Sequence, residues 1–504
     1  MPLKPALPRI CIALGLPTAD KLLDQARREV EAGEGFFEFR LDYLPKPEQG
    51  AAVISDLLAE FPSCLILATC RRHQNQGRFN GSIEEQIRVL ELAVDQGAKA
   101  VDIEVESAAA PGIRGRLDSL RNRAKLIVSY HNFESTPALD AILRRLVQVP
   151  ADAYKIVTTA RKQSDNSRVL SLAATHPKTP LILLAMGETG FPTRVLSPLH
   201  GGLYTYAAPN TQDGTASGQC SSRAMRSLYR VEKLTKTARV YGVIADPVRH
   251  SLSPAIHNRA LQARRIDAVY LPFLVSATGL KDFFVFADSL PVAGFSVTIP
   301  HKTRVMRYLD VVEPLARRIG AVNTVWRKAG KWRGANTDVR GVTVPLGRRM
   351  RLAKASVLLV GNGGAARGAA WALAEAGAKL SVTGRNPDRV RAFARMCGGE
   401  GLTPEQAERG HFDAVVHATP LGMFPKVDEC FFRDRVPGDV VMDMVYNPAE
   451  TLLLRRAVEQ GHETVPGTEM FLEQAVAQFE LWTGESAPRS AMEKALAEAL
   501  ANHH

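Results

Sequence analysis

KLIVSYHNF (125–133) and DAYKIV (152–157) are two apolar, β-branched runs, one leading into a histidine and the other carrying a lysine among aliphatic residues. Both read as strands, and His131 falls where the first would leave its sheet. In AYKIV the period of two turns Lys155 to the side opposite Tyr154 and Ile156. A lysine enclosed in a pocket loses solvation, its pKa falls, and the neutral amine becomes a nucleophile for carbonyls. A histidine one strand away is the natural proton carrier for the imine that forms. Taken alone, the pair also fits a snorkelling lysine and a hydrogen-bonded histidine. The surrounding chain decides between the two.

Working outward, the first half repeats a strand-then-helix unit. Further strand candidates are ICIALG (10–15), FFEFRLD (36–42), CLILATCR (64–71), AVDIEVE (100–106), PLILLAMG (180–187) and GLYTYAA (202–208). Helix-period segments such as ADKLLDQARREVEAG lie between them. Eight such units in little more than 200 residues indicate a (β/α)8 barrel, whose active site lies at the carboxyl ends of the strands. The residues there are polar: Glu38, Arg40, Arg71, Asp102, Glu104, His131 and Lys155, then Met186-Gly187. Ionisable groups recurring inside apolar strands are costly unless they work together, which points to a catalytic site.

The bulk numbers fit two or three domains in a chain of 504 residues. Hydrophobic residues make up 45% and charged residues 23%, with no apolar run able to span a bilayer. The N-terminus, MPLKPALPRICIALG, lacks the pattern of a signal peptide. The six cysteines are scattered with no CxxC pair, which suggests a reducing, cytoplasmic setting and argues against a zinc site. A net charge of +12 suits anionic small molecules. The basic residues are dispersed and match no nucleic-acid motif, so neither nucleic acid nor membrane is expected as a partner. SSRAMRSLYRVEKLTKTARV (221–240) reads as a helix running directly into the next strand, a short structured join.

The second half opens with VYGVIADPVRHSLSPAIHN, a strand, a turn and a helix starting near Ser253-Pro254. Ser before Pro suits an N-cap, and Ser251 and Ser253 beside a helix N-terminus make a carboxylate cradle or simply a capped helix. Downstream, GFSVTIPHK, IGAVNTV and GANTDVRG supply Thr298, Lys302, Asn323 and Asp338. A lysine and an aspartate near a ketone form a proton-transfer pair. ASVLLVGNGGAARGAAWALAEAGAKLSVTGR (355–385) is then a buried strand, a glycine turn and an Ala-rich helix. That context binds a dinucleotide pyrophosphate, here with Ala366 at the third glycine's place. Where NAD-binders carry an acid, this chain offers Thr383, Arg385, Asn386 and Arg389, which fit a 2′-phosphate and therefore NADP. FDAVVHATPLGM (412–423) and DVVMDMVYNP (439–448) continue the sheet, and TEMFLEQAVAQFELWTG (468–484) is expected to pack back onto the substrate domain.

On FEFRLD, TCR, SYH, YKI, MG…TR and TASGQ, in that order and spacing, residues 1–230 resemble the type I 3-dehydroquinate dehydratases. The resemblance implies that Lys155 forms a Schiff base with the substrate ketone, while His131 removes the adjacent proton and then protonates the departing hydroxyl. It implies that Arg194 grips the carboxylate, that Glu38, Arg40 and Arg71 hold hydroxyls, and that Thr215 and Gln219 close the site. Asp102 and Glu104 both remain candidates to orient His131. Two departures stand out: Asn75-Gln76-Gly77 where the family usually reads Glu-Gly-Gly, and Thr215 where serine is commoner.

On DPVRHSLSP, VTIPHK, AVNT, NTD, GNGGAAR, ATPLGM, MVYNP and ELWTG, roughly 240–490 resembles shikimate dehydrogenase. That likeness implies that Ser251 and Ser253 bind the carboxylate and that Lys302 and Asp338 handle the proton. Thr298, Asn323, Tyr446 and Gln474 would line the substrate pocket. Gly361, Asn362, Gly363, Gly364, Ala365 and Ala366 would hold the pyrophosphate, Thr383, Arg385, Asn386 and Arg389 the adenosine end, and Met444 and Gly467 would lie along the nicotinamide. Ala245 and His417 replace a usual glycine and asparagine. The expected fold class is α/β: a barrel over 1–232, a substrate domain over 238–340 completed by 468–504, and a Rossmann-type NADP domain over 341–467. The expected function is dehydration followed by NADPH-dependent reduction of the product on small-molecule substrates, without a metal. The alternatives are a second half acting on quinate, or a catalytically impaired ligand-sensing or scaffolding relative.

Overall fold

The structure is a computed structural model that describes residues 8–209 and 214–501. The start of the N-terminal stretch considered above (1–7) and the end of 468–504 lie outside the described residues. The chain divides into two compact units, Met1–Ala238 with Phe273–Pro291, and Arg239–Pro272 with Val292–His504. Among the described residues, no helix is long and apolar enough to cross a membrane.

In the first unit, β1 (Ile10–Leu14), β2 (Phe36–Arg40), β3 (Leu65–Thr69), β4 (Ala100–Glu104), β5 (Lys125–His131), β6 (Ala153–Thr159), β7 (Leu181–Met186) and β8 (Thr205–Ala207) form one parallel sheet in the order β7-β6-β5-β4-β3-β2-β1-β8. A bridge between Leu181 and Gly202 brings the two edges together into a nearly closed barrel. Alternation sorts each strand's side chains. Ala153 and Val157 join Cys11, Ile127, Leu184, Tyr204 and Tyr206 in the barrel interior, while Tyr154 and Ile156 join the core beneath the helices. Lys155 shares the inward parity. The helices start where the sequence caps them: Ser82 Oγ accepts from Glu85 N at 3.2 Å and Glu85 Oε2 from Ser82 N at 2.8 Å, ahead of helix Ile83–Asp95. Such a box stabilises a helix end by about 1 kcal/mol.

The join is not the continuous helix expected. Helical backbone covers only 222–228 before Arg230, at φ +53°, turns the chain out of it. Arg9 then ties down the following turn, donating from Nη1 to Val231 O at 2.9 Å and Leu234 O at 2.7 Å. The segment Phe273–Pro291, which lies inside the stretch 238–340, is part of this unit. Its Asp282 accepts from Ser164 N at 2.9 Å, and its Leu274 carbonyl from Gln163 Nε2 at 2.8 Å.

The second unit contains two six-stranded sheets, apart from Phe273 and Leu274, the last two residues of one edge strand, which count with the first unit. β9 (Arg239–Ala245), β10 (Ala268–Leu274), β11 (Val292–Val297), β12 (Val311–Val312), β13 (Thr324–Lys328) and β14 (Lys331–Ala335) are mixed, in the order β10-β9-β11-β13-β14-β12. β15 (Ser356–Val360), β16 (Lys379–Thr383), β17 (Glu400–Gly401), β18 (Phe412–His417), β19 (Gly438–Asp443) and β20 (Glu463–Val465) are parallel, in the order β17-β16-β15-β18-β19-β20. The strand order reverses beside β15, which opens a crevice at the carboxyl ends of β15 and β18. Helix Gly467–Thr483 returns to the mixed sheet, where Trp482 Nε1 donates to Val325 O at 2.9 Å.

Candidate functional sites

Lys155 is only 4% exposed, and its Nζ donates to Tyr206 OH at 2.9 Å, Asp102 Oδ2 at 3.0 Å and Glu38 Oε1 at 3.3 Å. Asp102 also accepts from Ser129 Oγ at 2.6 Å and Arg71 Nη2 at 3.0 Å. Burial works to raise the Asp102 pKa, but Lys155 and Arg71 outweigh it and hold the carboxyl below its usual range. Glu38 Oε1 has a second donor in Thr69 Oγ1 at 2.9 Å. Breaking such a buried network by removing one partner costs about 3–5 kcal/mol.

His131 faces the same cavity. Arg71 Nη1, which can only donate, stands 2.6 Å from its Nδ1 and 3.2 Å from its Nε2. Burial, with Arg71, Lys155 and Arg40 nearby, pushes the imidazole well below the ordinary value of 6.5 and keeps it neutral. Neither candidate carboxylate orients it. Asp102 serves Lys155, Arg71 and Ser129, while Glu104 accepts from Arg72 N at 3.0 Å and Gln86 Nε2 at 2.9 Å.

Arg40, Arg194, Thr215 and Gln219 line the cavity as well. Asp42 holds Arg40 through two bonds of 2.9 and 2.8 Å. Arg194 is 2% exposed; its Nη2 donates to Ser217 O at 2.9 Å and its Nε has no partner among the described residues. Burial lowers its pKa to about 10. A buried guanidinium with only a carbonyl partner is a seat for an anion. Gln219 Oε1 accepts from Thr215 N at 2.7 Å and Ala216 N at 3.1 Å, folding the last loop on itself. In the loop that departs from the resemblance, Asn75 turns away to Glu106 (3.0 Å). Gln76, at φ +56°, is the residue that lines the cavity.

In the second unit, Lys302 Nζ donates to Asp338 Oδ2 at 2.6 Å and Asn323 Nδ2 to Asp338 Oδ1 at 2.7 Å. Asp338 begins helix Asp338–Gly347, where the helix dipole favours negative charge. Asn323 is fixed in turn by Thr337 N, which donates to its Oδ1 at 2.7 Å. Tyr446 stacks on Phe471 with 4.5 Å between centroids, and Gln474 Nε2 donates to Phe471 O at 2.9 Å. Ser253 is the first residue of helix Ser253–Ala263 rather than its cap. Leu252 takes the cap position, and Ser251 Oγ accepts from Ser253 N at 3.3 Å. Among the described residues, Ser251, Ser253 and the half-buried Thr298 make no direct bond to the Lys302–Asp338 pair.

The dinucleotide elements meet at the crevice. Gly361 has φ +120°, and a Cβ there would come 2.8 Å from Ala418 O, so only glycine fits between the ends of β15 and β18. Helix Gly364–Glu375 begins beyond it, capped by Gly363, and at Gly363 and Gly364 the space around the backbone is open. Asn362, Ala365 and Ala366 complete the turn, with Ala366 buried. Thr383, at the end of β16, is buried, and among the described residues its Oγ1 has no partner. Asn386 caps helix Pro387–Met396 by accepting from Arg389 N at 3.1 Å, and the side chains of Arg385 and Arg389 are exposed. Open backbone donors at a helix N-terminus, with two exposed arginines near the next strand, fit a dinucleotide carrying an extra phosphate. Gly467 packs under Val445, whose carbonyl lies 2.2 Å from where a Cβ would stand, and Met444 is half-buried after β19. His417 is held by Asp443 (2.9 Å) and Thr419 (2.6 Å).

Three contributors escape a local reading: Tyr206 against Lys155, Gln76 on the cavity wall and Gln478. Gln478 Nε2 donates to Asn323 O at 3.2 Å and its Oε1 accepts from Ser296 Oγ at 2.8 Å. Parity with Tyr204 could have placed Tyr206, and Gln478 lies one helical turn beyond Gln474.

Family models match in three stretches: type I 3-dehydroquinase over 10–236, the shikimate dehydrogenase substrate binding domain over 243–325, and the shikimate 5'-dehydrogenase C-terminal domain over 467–497. A chloroplastic bifunctional 3-dehydroquinate dehydratase/shikimate dehydrogenase of Arabidopsis thaliana is 34% identical over 504 residues, 95% of this chain and 83% of its own. The shikimate biosynthesis protein AroDE of Chlamydia pneumoniae is 34% identical, over 71% of this chain and 74% of its own. Among solved structures, a shikimate dehydrogenase in complex with NADP+ superposes with a TM-score of 0.51 at 33% identity, over 53% of this chain and 97% of its own.

Proposed function

The chain belongs to the family of bifunctional 3-dehydroquinate dehydratases/shikimate dehydrogenases, and from that premise we propose how its residues divide the work. It is a shikimate-pathway enzyme, a lyase and an NADP-dependent oxidoreductase. The observation that carries the first activity is Lys155 Nζ inside the barrel, bonded to two carboxylates and sharing a cavity with a neutral His131. Nζ loses a proton and adds to the ketone carbon, and water leaves to give the iminium. The iminium draws electrons from the adjacent C–H, and His131 takes that proton. The protonated His131 then returns it to the departing hydroxyl, which leaves as water, and hydrolysis of the imine frees 3-dehydroshikimate and Lys155. Arg194 seats the carboxylate, Glu38, Arg40 and Arg71 the ring hydroxyls, and Thr215 with Gln219 covers the mouth.

In the second half, Ser251 and Ser253 take the carboxylate at a helix N-terminus, and Thr298, Asn323, Tyr446 and Gln474 line the ring. Lys302, poised on Asp338, delivers the proton to the carbonyl oxygen as it becomes a hydroxyl. When bound, the nicotinamide supplies the hydride. Gly361, Asn362, Gly363, Gly364, Ala365 and Ala366 would hold its pyrophosphate, Thr383, Arg385, Asn386 and Arg389 its 2′-phosphate end, and Met444 and Gly467 would serve its nicotinamide end. We divide the chain for these tasks into 1–232, 238–340 with 468–504, and 341–467. The six free cysteines suit a cytoplasmic setting. A catalytically impaired, ligand-sensing relative gains no support from the Lys302–Asp338 pair, which is intact at 2.6 Å.

Borohydride added with 3-dehydroquinate tests the covalent step. The expected result is a reduced adduct on the peptide carrying Lys155 and none in Lys155→Ala. An unmodified parent chain that still dehydrates the substrate would overturn the assignment.

A further inference from the structure

We infer that Tyr206 is a further catalytic residue of the dehydration, its phenol and ring face holding the nucleophilic nitrogen of Lys155 through imine formation; this rests on the Schiff-base reading above. The hydroxyl lies 2.9 Å from Nζ, and Nζ stands 4.2 Å from the centroid of the same ring. One side chain therefore offers the ammonium both a hydrogen-bond acceptor and a π face, the two neutral interactions that favour a cation.

The partner count gives this contact its meaning. An ammonium has three N–H donors, and Lys155 spends them on Tyr206, Asp102 and Glu38. Once a C–N double bond forms, the nitrogen keeps a single N–H. Each carboxylate has other donors to fall back on, Arg71 and Ser129 for Asp102 and Thr69 for Glu38. Among the described residues, Tyr206 has only Tyr204 to fall back on, at 3.3 Å. Both phenols sit in the apolar interior with Cys11, Leu184 and Met186. A side chain that merely filled this space would need no hydroxyl, since a buried one without partners costs about 1–3 kcal/mol.

The groups facing Tyr206 are Lys155, Glu38, Asp102, Tyr204 and Cys11. Burial, reinforced by the negative charge of Glu38, raises the phenol well above its usual value, so it stays neutral and exchanges no proton with substrate. It makes and breaks no covalent bond. It keeps the remaining N–H of the iminium engaged and sets the direction from which Nζ meets the ketone.

The test is Tyr206→Phe in the full chain, which keeps the ring and removes the hydroxyl, beside Tyr204→Phe, which removes an equally buried hydroxyl that does not touch Nζ. We expect Tyr206→Phe to lower dehydration kcat about tenfold at unchanged KM, the scale of one hydrogen bond to a charged group. Borohydride trapping at Lys155 should slow by the same factor. Tyr204→Phe should stay within about twofold, and reduction of 3-dehydroshikimate should be unchanged in both. A parent-like Tyr206→Phe, or equal losses in the two variants, would overturn the inference. If the parent itself traps no substrate on Lys155, the Schiff-base reading fails and takes this inference with it.

Discussion

Each half of the molecule sets a lysine against carboxylate, and the two settings differ in kind. Lys155 is sealed inside the barrel with its side chain 5% exposed and divides its protons among two acids and a phenol. Lys302 keeps 20% exposure and leans on one acid, Asp338, at 2.6 Å. A nucleophile must be held in place and relieved of its proton without water, so the barrel surrounds it with acceptors that remain satisfied when it leaves. A proton donor must reach an oxygen and be recharged, so the second site leaves it partly exposed and, among the described residues, pairs it with Asp338 alone. The number and burial of the partners, more than the residue type, separate the two chemistries.

The comparison breaks most sharply at the lysines. Lys155→Ala should lower dehydration by about 10⁴-fold or more while reduction of 3-dehydroshikimate continues, as steady-state rates on each substrate will show. Loss of both activities would mean that the two sites are not separate. His131→Ala should cost dehydration about 10²–10⁴-fold. The parent's kcat/KM should hold through pH 6.5 and fall only well below it, because the base must be neutral and burial with Arg71 holds it so. Arg71→Gln removes a facing cation and should move that acid limb upward. The same shift touches stability. His131 is neutral when folded and takes a proton near 6.5 when unfolded, so its contribution is full above pH 6.5 and declines as pH falls toward the folded value.

Smaller effects sharpen the contrast. Asp338→Asn should reduce kcat for reduction by about a hundredfold and leave dehydration unchanged, since the acid only poises Lys302. Arg385→Ala should weaken NADPH about tenfold with little change for NADH, measured as the ratio of kcat/KM values. Gln76→Gly relieves a left-handed φ of +56° and should raise the barrel's stability in urea by about 1 kcal/mol.

Local pattern was enough for the barrel because β-branched runs and period-two alternation are written in neighbouring residues. Ala153, Lys155 and Val157 fall inward as the alternation requires. The nucleotide crevice was legible for the same reason: Gly361 and the helix behind it are adjacent in sequence. What escaped depends on distant partners. Tyr206 reaches Lys155 across 51 positions and Asp102 reaches it across 53, so no window along the chain contains the pair. The expectation that an acid would orient His131 failed because Arg71 occupies that position. The join read as one helix because propensity sees neither Arg9's hold on the 231–234 carbonyls nor the left-handed turn at Arg230.

The most direct measurement is NADPH oxidation by the full-length chain given 3-dehydroquinate alone. The account predicts steady oxidation, abolished by Lys155→Ala while that variant still oxidises NADPH with 3-dehydroshikimate. Oxidation with 3-dehydroshikimate and none with 3-dehydroquinate would contradict it, leaving the barrel as a site without turnover.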